Sequence, residues 1–124
     1  MIWQPLVEVT AEVFFRGAVF RCPAKHPFEQ VVDFMIIEDI DSPSRYKIIC
    51  STGYHAGQTE WILPAEAAHP RGGISVKWLK AIWSKSILGQ SPVKEVMHLE
   101  HYPSNFGAVA IKRSARGKKA KVKR

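Results

Sequence analysis

Between two apolar runs, Tyr46-Lys47-Ile48-Ile49-Cys50 and Thr59-Glu60-Trp61-Ile62-Leu63, the chain carries Gly53-Tyr54-His55-Ala56-Gly57. A phenol and an imidazole set between glycines suit either a ligand grip or an exposed contact at the end of a hairpin. A metal is a second question. Cys22 and His26 are four apart and Cys50 and His55 five apart, spacings found among zinc ligands. The chain has no CxxC, however, and both cysteines end apolar runs, where a thiol acts as a small hydrophobe. Zinc is therefore the minor reading, and no metal or cofactor is expected. Asp33 interrupts the run Val31-Val32-Asp33-Phe34-Met35-Ile36-Ile37. If buried it needs a cationic partner such as Arg21 or Arg45; the expectation is that it faces a sheet end or a polar margin instead. The chain has no glycine-rich phosphate loop, no GxSxG elbow and no HExxH. Its serines and histidines nominate no nucleophile and base, so no enzymatic activity and no small-molecule substrate are expected.

Charge supplies the other candidate chemistry. The net charge of +7 is uneven: residues 112–124 hold eight of the eighteen Lys and Arg and no acid, leaving ten cations against eleven acids in residues 1–111. The body is thus nearly neutral and the basicity belongs to the C-terminal stretch. Lys112, Arg113, Arg116, Lys118, Lys119 and Lys121 could hold nucleic acid by phosphate neutralisation. With no aromatic residue among them they would have no sequence preference. At the opposite sign, Glu38, Asp39 and Asp41 form an acidic corner that would speed association with a cationic partner more than it would tighten binding.

The elements that must position these groups follow from periodicity. Residues 6–9 and 12–21 alternate as strands do, with a bulge or kink at Gly17. Val31–Glu38 is apolar, β-branched and aromatic, and reads as a central strand buried on both faces. Residues 45–52 and 58–64 complete an antiparallel meander, which makes Gly53–Gly57 a hairpin tip that lifts Tyr54 and His55 into solvent. Residues 74–88 place Trp78, Leu79, Ile82, Trp83 and Ile87 on one stripe of a helix, with Ser75 as N-cap, Ile74 and Leu79 as a staple, and Gly89 as C-cap. Both tryptophans are expected in the core. Residues 93–102 read as a last strand at a sheet edge. The fold class is α+β: an antiparallel sheet of about five to six strands packed with one amphipathic helix. One globular domain over residues 1–106 and a basic, disordered tail over 107–124 are expected. No apolar run reaches the ~20 residues of a membrane helix, and the N-terminus lacks the basic start of a signal peptide. A cytoplasmic protein with no membrane contact is expected.

Several stretches together resemble a known family. These are "RGAVFRCPAKHPFEQVVDFM" (16–35), "TGYHAG" (52–57), "ILPAEA" (62–67), "ISVKWLKAIWSK" (74–85) and "VKEV" (93–96). In order and type they are similar to the bacterial immunity proteins of polymorphic toxin systems catalogued as immunity protein 45, over roughly residues 12–100. The resemblance implies a small, mostly β, non-enzymatic protein that binds and neutralises a cognate toxin, protecting the cell that makes it. His55 stands where relatives are expected to carry a basic residue such as Lys, and the basic tail lies beyond the resemblance. The toxin-binding residues expected from exposure and chemistry are Tyr54, His55, Glu38, Asp39 and Asp41, with a toxin that is cationic if it is a nuclease. The alternative is a small nucleic-acid-binding protein acting through its tail.

Overall fold

The computed structural model describes residues 2–25, 28–83, 85 and 91–103. Its elements are β1 (Gln4–Pro5), β2 (Val13–Phe14), β3 (Val19–Pro23), β4 (Val31–Glu38), β5 (Tyr46–Cys50), β6 (Thr59–Ile62), β7 (Ile74–Ser75), α1 (Val76–Trp83) and β8 (Met97–Leu99). Six strands form one antiparallel sheet in the order β1-β8-β3-β4-β5-β6, and β2 pairs with β7 in a second, two-stranded sheet. The fold is α+β and mostly sheet, as the periodicity predicts.

The register explains the core. Phe20, Phe34 and Cys50 lie in one cross-strand row, and Ile36 opposes Ile48 in the next. Pleating sends these side chains to one face, where all are fully buried together with Val32, Leu79 and Trp83. Trp83 of α1 lies 5.5 Å from Phe20, which fixes the helix on that face. Ser75 caps α1 as expected, its Oγ accepting from the Trp78 backbone N–H at 3.1 Å. Ile74 and Leu79, the staple pair, are both fully buried.

Five expectations need correction. Ile74 and Ser75 are strand, pairing with Phe14 and Val13, so the helix begins at Val76. The pairing is possible because Gly73 (φ 79°) lets the chains meet: a Cβ there would stand 2.6 Å from the Phe14 carbonyl oxygen. The helix stripe holds through Trp83, while Ile87 and the Gly89 cap lie outside the described residues. Trp78 is only half-buried, resting at 5.4 Å against Trp61, because the stripe is wider than the surface it covers. Leu6–Glu8 is a 3-10 turn rather than a strand. The run 12–21 is split at Gly17 (φ 92°), which hands the chain from the small sheet to the large one. Finally, β8 is only three residues long and lies between β1 and β3, not at an edge. The two-residue β1 takes the edge, because the N-terminal chain folds back to pair Gln4 with His98. A separate expectation, the domain boundary at 106 and the tail beyond it, lies outside the described residues.

Candidate interaction surface

The tip between β5 and β6 is built by backbone bonds. Cys50 N donates to Gln58 O at 2.9 Å and Gly57 N to Cys50 O at 2.7 Å, closing the loop. Inside it Gly53–His55 form a 3-10 turn. Gly53 and Gly57 take φ of 73° and 95°, which side chains disfavour. Glu29 reaches over from the segment before β4, its carboxylate accepting from Tyr54 N at 3.0 Å. That bond lowers the Glu29 pKa below the ordinary range. The backbone under Tyr54 is therefore held while its ring stays 87% exposed. His55 behaves differently from expectation. It is half-buried, edge-on to Phe28 at 5.3 Å, and its Nδ1 meets Gln58 Oε1 at 3.1 Å. Phe28 has turned back over the sheet to rest on Phe34, so it offers His55 an apolar wall.

The acidic corner also divides. Glu38 is exposed and pairs with Arg16 at 3.3 Å. Asp39 works for the turn: it accepts from Ser42 Oγ at 2.7 Å and from Asp41 N at 3.3 Å, and the Ser42 hydroxyl lowers its pKa. Asp41 is exposed. Corner and tip do not converge. They flank opposite ends of the eight-residue β4, roughly 25 Å apart at the usual rise per residue.

Of the four metal candidates, His26 lies outside the described residues, and Cys22 and Cys50 are buried in different cross-strand rows. Burial pushes the Cys22 thiol up to about 12 and also raises Cys50. Both stay protonated at neutral pH and are poor ligands. Among the described residues no three His, Cys, Asp or Glu stand close enough to hold a metal.

Asp33 is where the sequence reading missed the most. It is neither at a sheet end nor at a polar margin. It is 1% exposed, directly across from Arg21 in the β3–β4 register. Arg21 holds it with two bonds, Nε to Oδ1 at 2.7 Å and a terminal NH2 to Oδ2 at 3.0 Å. The Tyr102 hydroxyl donates to Oδ2 at 2.6 Å and lies 3.0 Å from Ser51 Oγ. Trp3 stacks on the guanidinium at 4.2 Å. The cluster is on the sheet face away from α1 and ties the segment after β8 across β3 and β4 to β5. Burial, and the bond to Asp33, hold the Tyr102 phenol up to about 12. With its oxygens engaged and its phenol un-ionised, the cluster has the chemistry of a brace. The spacing Arg21…Asp33 was a usable signal, and Tyr102 carried none.

A cavity of about 470 Å³ lies between the N-terminal segment and the end of β8, lined among others by Phe14, Phe15, His98 and His101. Its histidines are engaged: His98 Nδ1 meets Val19 O at 3.2 Å and His101 Nδ1 meets Tyr102 O at 2.9 Å.

Fold and surface define a small α+β domain with a six-stranded sheet, a helix on one face and a braced aromatic tip. The family model described as Immunity protein 45 matches residues 6–98, well over half of the chain, and the protein belongs to that family. Comparison with curated proteins and with solved structures returned no match. Among the described residues no helix is long and apolar enough to cross a membrane.

Proposed function

We propose that this protein is the antidote to a toxin made by the same cell or its kin, and that it acts in the cytoplasm without catalysis by binding the toxin and covering its active site. The observation that carries the reading is the family match over residues 6–98. The tip supports it: Tyr54 is a large ring held out on a braced backbone, which is what an interface anchor requires. A rigid anchor loses little entropy on binding. Exposed carboxylates at Glu38 and Asp41 suit a toxin with a cationic surface, as a nuclease would have.

The test is growth. The toxin domain encoded beside this gene, expressed alone, is expected to arrest a host cell. Co-expression of this chain is expected to restore growth and to yield a complex that co-purifies. Continued arrest, with no complex for any toxin encoded beside the gene, refutes the proposal.

A further inference from the structure

Two arginines could answer Asp33, and the fold uses one. Arg21 holds that carboxylate, and Arg45 is left over. Arg45 ends the turn between β4 and β5 and is exposed. Its main chain closes the turn: its N–H donates to Ser42 O at 2.9 Å, and its carbonyl accepts from Asp39 N at 2.8 Å. Its side chain makes no hydrogen bond and no ion pair among the described residues. The residue stands at φ 75°, the one non-glycine in the left-handed region among those described. Glycine or asparagine suits that conformation better than a long side chain. Either would make the same main-chain bonds. The turn therefore carries backbone strain for a guanidinium that its own fold does not use, and strain of this kind points to a task outside the fold.

The same residue lines a cleft of about 580 Å³ between this turn and the loop before β7. Gly72 and Gly73 line it from that loop, which is tied by His69 N to Gly73 O and by Gly72 N to His69 O, both at 2.9 Å. Ile40, 75% exposed, and Pro70 add apolar surface. The other polar groups of the lining are engaged. Glu38 pairs with Arg16, and the His69 ring accepts from Arg71 N–H at 3.1 Å and faces Glu12 at 3.6 Å. Among the described residues Arg45 is the only Lys or Arg on the lining, and its charge is unanswered.

We propose that this cleft receives a carboxylate of the toxin, an Asp or Glu side chain gripped by the Arg45 guanidinium and seated beside Ile40. The proposal rests on the antidote reading and deepens it by naming one contact and its chemistry. A guanidinium fork matches a carboxylate with two parallel bonds. A phosphate dianion fits less well, because a single cation with Glu38 on the same lining does not balance two negative charges. The main-chain bonds of turn and loop keep the cleft in shape before binding, and arginine is a frequent interface anchor. Asp41 on the same turn carries the opposite sign. A toxin that is cationic overall then sets one carboxylate among its cations here, and the alternation of sign fixes its register.

The experiment measures two quantities on the full chain: affinity for the toxin domain encoded beside its gene, and melting temperature when free. Arg45→Asn removes the guanidinium and relieves the strain. It is expected to weaken binding about tenfold or more and to leave the melting temperature no lower. Arg45→Lys, which keeps the charge without the fork, is expected to recover part of the affinity. Removal of the toxin's carboxylates one at a time is expected to find one whose loss weakens the wild type but not Arg45→Asn. Full affinity in Arg45→Asn overturns the proposal and leaves the antidote reading intact. A melting temperature that falls together with the affinity also overturns it, since the guanidinium would then serve the fold. So does coupling of Arg45 to no carboxylate of the toxin, or to a bound phosphate or nucleic acid instead. A wild-type chain that binds no such toxin overturns both.

Discussion

Tyr54 and His55 show how neighbours of similar chemistry part company in a fold. Tyr54 meets the His55 ring edge-on at 5.4 Å and stays 87% exposed, so most of its ring can reach a partner, whereas His55 rests on Phe28 and meets Gln58. Tyr54→Ala is therefore expected to weaken toxin binding by more than ~1 kcal/mol with almost no change in melting temperature, measured by calorimetry on complex and free chain. Asp33 is the converse case, a charge that works inside. Arg21→Met would leave its carboxylate buried with only Tyr102 to answer it. A loss of about 2–3 kcal/mol in urea unfolding is expected, tempered by the partial exposure of the arginine. His98 makes stability depend on pH. Burial between Phe14 and Phe20 lowers its pKa, so the unfolded chain binds the proton more readily than the folded one. Its contribution is intact above the ordinary histidine value of about 6.5 and is lost as pH falls below it. The melting temperature is expected to fall from pH 7 to about 5, and His98→Asn, which keeps a donor for Val19 O, is expected to flatten that slope.

At the scale of elements, the pairing of Phe20, Phe34 and Trp83 carries the core. The helix periodicity treated both tryptophans alike, but the sheet does not. Trp83 is 1% exposed and Trp78 only half-buried against Trp61. Trp83→Ala is expected to cost about 3–5 kcal/mol and Trp78→Ala markedly less, by denaturant unfolding of the two variants side by side. Equal losses would mean that α1 sits differently on the sheet. The β4 run illustrates a limit of composition. Its apolar character on both sides was legible, and burial on both faces followed as an expectation. Among the described residues α1 packs on the Phe34 side, while on the other side Asp33 is buried under Arg21 and Tyr102 and Val31 is 54% exposed.

For the whole molecule, charge and fold separate along the chain. The described body, ending at Pro103, draws on ten cations and eleven acids, and the excess of positive charge follows it. A chain ending at Phe106 is expected to keep its melting temperature and its protection against the toxin, read by calorimetry and by growth rescue. It would lose any salt-sensitive affinity for DNA or RNA, which filter binding at two ionic strengths would measure. Loss of rescue on truncation would move the function into the tail.

The α+β class, the meander β4-β5-β6, the tip with its glycines and the Ser75 cap were all legible, because each depends on residues within a few positions of one another. Turn chemistry, capping and periodicity are local, and the chain states them directly. What the residues could not state is which distant segments meet. The pairing of β7 with β2, the placing of β8 inside the sheet, the Tyr102 brace on Asp33 and the packing of α1 on Phe20 all join residues far apart in sequence. Their geometry is decided by the register of the sheet and by competition for its two faces, which exist only once the chain has closed on itself.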